Sequence, residues 1–166
     1  QVLLHHKRLD ILVNNAGIGH VGTMLRTTGA DLDRLYSVNV RGVFNVTRSF
    51  LPSMIERRKG SIINLASVGG TTAVRDRLAY CTTKFAVVGL TKCMAQEVGD
   101  SGICVNAVAP MAVTRMNREV FFGGAVVEGD NWREDIASGK VPMGPAEIVA
   151  PTVLWLAHRS TTLNGE

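Results

Sequence analysis

Three short, nearly continuous apolar runs alternate along the chain with longer segments whose apolar residues have helical spacing. Residues 9–14, 61–66 and 103–109 are nearly continuous in apolar side chains and have the length of single strands. Such runs are typical of strands that are buried on both faces of a parallel sheet. Residues 30–58 and 78–98 instead repeat apolar positions at helical spacing. This alternation predicts an α/β fold with right-handed crossovers between parallel strands.

The remaining segments complete this single-domain prediction for residues 1–166. Residues 111–145 are rich in glycine and charge, and we predict that they form a substrate loop or lid. Its apolar residues are compatible with a steroid, an acyl chain or a small ketone as substrate. They are Phe121, Phe122, Val126 and Val127. Pro145 is expected to open a last helix that ends near residue 158.

A glycine-rich stretch follows the first apolar run. Gly17, Gly19 and Gly22 have the G-x-G-x-x-G spacing of a dinucleotide-binding loop. That loop requires a helix to begin at its glycines, whereas the next helix start is Thr28, with Asp31 completing a capping box. We therefore reject the dinucleotide fingerprint here and expect the glycines to admit a ligand close to the backbone.

Composition narrows the possible partners. The 166 residues are 46% hydrophobic and 19% charged, as in one globular domain, and the net charge is +4. Only Arg57, Arg58 and Lys59 form a basic cluster, and they lie at the predicted end of a helix, where positive charge suits the helix dipole. No nucleic-acid partner is therefore expected.

The cysteines and the hydropathy bear on location. Cys81, Cys93 and Cys104 are odd in number and have no C-x-x-C spacing, which favours a reducing, cytoplasmic compartment and no metal site. No apolar run is long enough to span a bilayer and no signal-peptide pattern is present, so no membrane partner is expected.

Tyr80 and Lys84 are the candidate catalytic pair. They lie one helical turn apart, so the ammonium can approach the phenol. A nearby positive charge lowers the pKa of a phenol and makes it a better acid or base near neutral pH. The alternative is a solvated pair on a helix surface, so the surrounding residues decide.

Two further polar residues stand at informative places. Ser67 follows the second predicted strand, and side chains at the carboxyl ends of parallel strands face the ligand side of such a sheet. Asn39 lies among apolar residues in the middle of a predicted helix, where a buried amide needs partners.

Taken in order, these residues resemble the short-chain dehydrogenase/reductase family almost from end to end. The matching positions are Asn14-Asn15-Ala16-Gly17, Asn39, Ser67, Tyr80-x-x-x-Lys84, Asn106-Ala107-Val108-Ala109-Pro110 and Thr114. The resemblance implies a Rossmann-like, doubly wound parallel sheet in three α/β/α layers. It also implies an oxidoreductase that uses NAD or NADP to transfer a hydride to or from an alcohol/ketone substrate.

The resemblance also implies residue roles. Tyr80 would be the general acid/base and Lys84 would lower its pKa and bind the nicotinamide ribose. Ser67 would hold the substrate oxygen, and Asn39 would fix a water that links Lys84 to solvent. The implied cofactor-binding residues are Asn14, Asn15, Ala16, Gly17, Tyr80, Lys84, Pro110, Val113 and Thr114.

The chain departs from the family pattern in two respects. Met111 stands where the family usually has glycine, and its side chain could crowd the nicotinamide. The glycine-rich phosphate loop, the residue that separates NAD from NADP and the last strand are all absent from the sequence. We therefore expect a fragment that lacks strands at both ends.

Two alternatives stay open. A truncated chain could be catalytically inactive and act only as an interaction module, since the family packs subunits through the helices at 30–58 and 78–98. A homodimer or homotetramer through these helices is expected in either case. An epimerase or dehydratase of the extended superfamily also uses Tyr-x-x-x-Lys, but the stretch from Asn14 to Gly17 argues against it.

Overall fold

The structure is a computed structural model that describes residues 2–114, 116, 134, 137–139 and 143–166. Most of the predicted lid at 111–145 lies outside these residues. The four apolar lid residues named above are among those outside: Phe121, Phe122, Val126 and Val127.

A parallel sheet forms the centre of the fold, as predicted. Its strands are β1 (Ile11–Asn14), β2 (Gly60–Leu65) and β3 (Ile103–Val108), in the order β1-β2-β3. The register places Asn14 beside Asn64, and Asn64 beside Ala107. The carboxyl ends of all three strands therefore lie at one edge, where a ligand site is expected.

The helices within the described residues are α1 (Val2–His6), α2 (Gly29–Tyr36), α3 (Gly42–Arg57), α4 (Leu78–Val98) and α5 (Val149–Ala157). α2 and α3 join β1 to β2, and α4 joins β2 to β3. Thr28 caps α2 through the predicted capping box with Asp31. No helix begins at the glycines of 17–22, so the rejection of a dinucleotide fingerprint there is confirmed.

The predicted helix at 30–58 is interrupted by one π-helical turn, Ser37–Arg41, between α2 and α3. The Gly42 N–H donates to the Ser37 carbonyl, a step of five residues, and Asn39 lies within this turn. A π turn shifts the register of the side chains that follow it, and such turns are frequent at functional sites.

Helices cover both faces of the sheet, which gives the three layers that were predicted. Leu12, Ile62 and Val105 share one face with Met54 of α3 and Met94 of α4. The other face packs on α5 through a second cluster, in which Ile63 and Val108 contact Leu156. On that face Ile11 and Val13 of β1 remain 45% and 41% exposed.

Two features differ from the sequence-based expectation. Ala112–Val113 (β4) and Gly144–Pro145 (β5) form a short parallel pair inside the segment predicted to be a lid. No closing strand was expected at the end of the chain, yet the backbones of residues 165 and 166 hydrogen-bond along the free edge of β3. The Gly165 N–H donates to Val105 over 2.9 Å, and the Ala107 N–H donates to Glu166 over 2.7 Å.

The basic cluster closes α3, as predicted. α3 ends at Arg57, whose guanidinium contacts the Asp10 carboxylate at 2.8 Å, and Arg58 donates to the Asp100 carbonyl over 2.7 Å. Within the described residues, no helix combines the length and apolar character that a bilayer crossing requires.

A buried polar network joins the sheet to the helices. Asn14 donates to Thr47 of α3 over 3.0 Å and to Asn64 over 2.8 Å. Asn64 in turn donates to Thr91 of α4 over 2.9 Å. Asn64 and Thr91 are fully buried, so an unpaired partner would carry a desolvation cost.

We expect Asn64→Ala to lower the free energy of unfolding by about 2–4 kcal/mol, because it removes two buried hydrogen bonds and leaves a cavity. Urea unfolding measures this change. Asn45→Ala, at an exposed position of α3, is the control and should change stability by less than about 0.5 kcal/mol. Equal effects of the two substitutions would contradict a stabilising role for the network.

Candidate active site

A cleft of about 420 Å³ opens at the carboxyl ends of β2 and β3. It brings together seven of the residues that the sequence predicted for catalysis or cofactor binding. These are Asn15, Gly17, Ser67, Tyr80, Lys84, Pro110 and Thr114. Clefts of this size are typical of small-molecule sites in open α/β sheets.

Tyr80 and Lys84 lie at the start of α4 and are not a solvated surface pair. Lys84 is only 6% exposed, and its Nζ donates to the Leu65 carbonyl at the end of β2 over 2.7 Å. The same Nζ lies 5.7 Å from the centre of the Tyr80 ring. The tyrosine is half-buried in the cleft wall, so the surface alternative is wrong.

Burial lowers the pKa of the Lys84 ammonium. Removal of the ammonium from water lowers its pKa from 10.5 to about 8. The side chain therefore remains mostly protonated at neutral pH and places a positive charge beside Tyr80.

Ser67 reaches the cleft from a tight turn between β2 and α4. Its Oγ accepts a hydrogen bond from the Gly69 N–H over 3.1 Å, at the start of the 3-10 turn Val68–Gly70. A hydroxyl that accepts in this way keeps its hydrogen for donation to a ligand. A Cβ added at Gly69 would lie 3.5 Å from Tyr80 Cε1 and 3.6 Å from Ser67 Oγ, so serine and tyrosine flank the same glycine.

Gly70 permits this turn to lie against α4. A Cβ at this position would stand 2.7 Å from the Lys84 carbonyl oxygen, which is too close for any other residue without a backbone shift. The turn that carries Ser67 and the helix that carries Tyr80 are thereby held together.

Asn39 lies behind the cleft and holds the loop that follows β1. Its Oδ1 accepts from the Ile18 N–H over 2.8 Å, and its Nδ2 donates to the Ile18 carbonyl and to Thr83 Oγ1, each over 3.0 Å. A Cβ at Gly17 would lie 3.3 Å from Asn39 Oδ1 and 3.5 Å from Lys84 Nζ. The structure thus gives Asn39 a positioning contact, and its part in a water chain stays a prediction.

Three further predicted residues do not line the cleft. The Asn14 side chain is turned into the buried network described above, Ala16 is exposed, and Val113 is buried in β4. Their roles in cofactor binding stay predictions. For Asn14 such a role would fall to the backbone groups, because its side-chain amide donates to Thr47 and Asn64.

Met111 lies in the cleft wall, as the departure from the family pattern suggested. Its side chain lines the cleft and is 51% exposed. A flexible thioether therefore stands where the family usually has glycine, although thioethers adapt to irregular neighbours.

Arg77 is a cleft residue that the sequence reasoning did not identify. It precedes α4 directly, is only 6% exposed and lines the cleft. Its guanidinium carbon lies 5.7 Å from the centre of the Tyr80 ring. Its position three residues before Tyr80, immediately before the first residue of α4, was the available signal. In the part of the chain that the structure describes, no cluster of three metal-ligating side chains occurs.

Comparison with known proteins agrees with this geometry. Residues 1–122 match the family model described as short chain dehydrogenase. This chain belongs to the short-chain dehydrogenase family. It is 36% identical over 160 residues to the 3-oxoacyl-[acyl-carrier-protein] reductase FabG of Thermotoga maritima. This alignment covers 95% of this chain and 62% of the reductase. The oxidoreductase UcpA of Escherichia coli is 47% identical over 104 residues, which covers 62% of this chain and 40% of UcpA.

A solved member of similar structure is described as ElxO with NADP bound. It superposes with a TM-score of 0.84 and 32% identity, over 99% of this chain and 66% of that chain. The chain thus spans about two thirds or less of the length of these short-chain dehydrogenases.

The lowered pKa of Lys84 has a consequence for stability. Between pH 8 and pH 10.5 the unfolded state binds more protons at this lysine than the folded state, so stability rises with pH in this window. Below pH 8 the lysine is charged in both states and its burial costs about 3 kcal/mol.

We therefore expect the free energy of unfolding of the wild type to rise by about 3 kcal/mol relative to Lys84→Met as pH increases from 8 to 10.5. Urea unfolding across this range measures the difference. Lys92→Met, at an exposed position of the same helix, reports the general effect of a lost charge. Parallel pH profiles for the wild type and Lys84→Met would contradict the lowered pKa.

Proposed function

We propose that this chain forms the catalytic part of an NAD(P)-dependent oxidoreductase that interconverts an alcohol and a ketone. The observation that supports this most directly is the convergence of Ser67, Tyr80 and Lys84 on one cleft with Asn15 and Gly17. The name of one relative, a 3-oxoacyl reductase, and the NADP bound to ElxO support the same chemistry.

The residues present fit the nicotinamide end of such a cofactor. Gly17 leaves open the space beside Lys84 Nζ, where a side chain would otherwise stand within 3.5 Å. Lys84 uses one ammonium hydrogen for the Leu65 carbonyl, and an ammonium has three donors. Lys84, Asn15 and Thr114 would hold this group, and when bound it supplies the hydride.

Tyr80 would supply the proton in ketone reduction and remove it in alcohol oxidation. The Lys84 ammonium lies 5.7 Å from the centre of the Tyr80 ring and would stabilise negative charge that develops on the phenol oxygen during the transfer. Ser67 would donate its hydroxyl hydrogen to the same substrate oxygen and so orient it for the transfer.

The rest of the wall is mostly apolar. Val68, Met111, Met143 and Val149 line the cleft around the polar groups. Such a wall excludes water and strengthens the electrostatic interactions inside. We also propose that the segment at 111–145 is the substrate loop or lid of this site.

We also propose a homo-oligomer formed through α3 and α4, located in the cytoplasm. Phe44 on α3 and Phe85 on α4 are 45% and 46% exposed, which favours a partner surface. Cys81, Cys93 and Cys104 are free thiols in the structure, which supports the proposed reducing compartment.

Titration of the chain with NADH and with NADPH tests the proposal. Energy transfer from tryptophan to the nicotinamide reports binding, and circular dichroism checks that the chain is folded. Saturable binding of either cofactor is the expected outcome. A folded chain that binds neither cofactor would contradict the proposal and favour the inactive interaction module.

Tyr80→Phe should reduce turnover by a factor of about 10²–10⁴ and leave cofactor affinity within about twofold, because only the proton donor is lost. Nicotinamide absorbance in a screen of ketones measures the rate. Tyr36→Phe is a matched control, because Tyr36 is the other tyrosine and is 46% exposed on α2. Equal rates for wild type and Tyr80→Phe would contradict the role of Tyr80.

Phe85→Glu should weaken self-association by at least about tenfold, because it removes an apolar side chain and adds a charge at the proposed interface. Light scattering across a concentration series measures the association. Lys92→Glu changes charge on the same helix without removal of an apolar group and is the control. A wild-type chain that is monomeric at all concentrations would contradict the interface.

A further inference from the structure

Arg77 is a buried cation in the cleft, and the oxidoreductase mechanism leaves it without a role. It is 6% exposed, although arginine is rarely buried without a partner. The ion pairs among the described residues involve Arg8, Arg57 and Arg75, but not Arg77. Its neighbour Asp76 contacts the exposed Arg75 instead, at 3.9 Å.

Among the described residues, Arg77 has few hydrogen-bond partners for its donors. A guanidinium has five N–H donors in a planar fork. In the described structure one nitrogen, Nη1, donates to the His20 carbonyl, over a long 3.4 Å. No described side-chain nitrogen is both fully buried and unpaired, so the remaining Arg77 nitrogens reach open space, and the space that Arg77 lines is the cleft.

The charged side chains that line the cleft, among the described residues, are all positive. Among the described residues that line the cleft, Arg77 and Lys84 are cationic and none is acidic. Each places its charged group 5.7 Å from the centre of the Tyr80 ring. Lys84 lies next to Gly17 on the proposed cofactor side, whereas Arg77 lies near Gly19 and Met116.

We propose that Arg77 binds an anionic group of the substrate, so that the substrate is a hydroxy acid or keto acid. Its carboxylate would lie within a few bonds of the reacting carbon, because the Arg77 guanidinium carbon is 5.7 Å from the centre of the Tyr80 ring. A guanidinium pairs with a carboxylate through two parallel hydrogen bonds, which also orients the carbonyl toward Tyr80. This inference rests on the proposed function and names its substrate class.

The first arm of the test compares short 2-keto and 3-keto acids with their methyl esters, in reduction by the full chain. The wild type should prefer the acids. Arg77→Gln should lose roughly 30-fold to 1,000-fold in kcat/KM for the acids, mainly through KM, with little change for the esters. Arg77→Lys should retain part of the preference, since it keeps the charge but loses the fork.

Arg75→Gln is the matched control, because Arg75 lies in the same loop and its side chain is 96% exposed. It should behave as the wild type. Melting temperatures show whether the Arg77 variants fold, and Arg77→Lys keeps the test decisive if Arg77→Gln does not. An unchanged acid-to-ester ratio in a folded Arg77 variant, with turnover still dependent on Tyr80, would overturn the inference and leave the proposed function intact.

The second arm measures binding without turnover. It shows whether Arg77 binds a substrate carboxylate or a phosphate of the cofactor. Short saturated carboxylates should raise the melting temperature of the wild type and of Arg75→Gln, but not that of Arg77→Gln. NADH and NADPH should bind Arg77→Gln and wild type alike. Loss of cofactor affinity in Arg77→Gln would assign the guanidinium to a cofactor phosphate and overturn the inference.

If the wild type binds no cofactor, the proposed function fails, and the carboxylate shift alone then decides whether Arg77 is an anion site. Equal shifts, or no shift, in wild type and Arg77→Gln would overturn the inference.

Discussion

The contact between the Lys84 ammonium and the Leu65 carbonyl joins the two elements that build the candidate site. Leu65 ends β2, and Lys84 lies two turns into α4, so the contact sets the height of the helix over the carboxyl edge of the sheet. Tyr80 then faces the cleft from the turn before. Gly70 lets the intervening turn approach the helix backbone, and this turn places Ser67 in the cleft wall.

The other wall depends on buried amides. Asn39 binds both backbone groups of Ile18 from within a π-helical turn, and this contact brings the loop after β1 to Lys84. Asn14 and Asn64 tie the strands to α3 and α4. A buried polar group without a partner costs free energy, so these networks favour one arrangement of sheet and helices over slipped alternatives.

The cleft combines apolar lining with two cations, Arg77 and Lys84, each 5.7 Å from the centre of the Tyr80 ring. Burial of Lys84 lowers its pKa toward 8, yet leaves it charged at neutral pH. Arg77 supplies the second positive charge of the cleft wall. A negatively charged group that develops or binds between them meets a positive field in a site with little competing water.

The sequence by itself determined the alternation of strands and helices, because apolar periodicity and capping act between near neighbours. The capping box of Thr28, for example, follows from residues only three positions apart. The order and spacing of Ser67, Tyr80 and Lys84 indicated the family, because such a motif can be read directly along the chain. The tertiary structure decided what depends on residues distant in sequence.

The inward turn of Asn14, the clamp of Asn39 on Ile18, the β4–β5 pair and the burial of Arg77 all result from such contacts. A side chain's own sequence neighbourhood does not say whether its partner is water or a strand some fifty residues away. Burial and hydrogen-bond partners are therefore properties of the packed fold, and only the fold could show that Arg77 faces the same cleft as Tyr80.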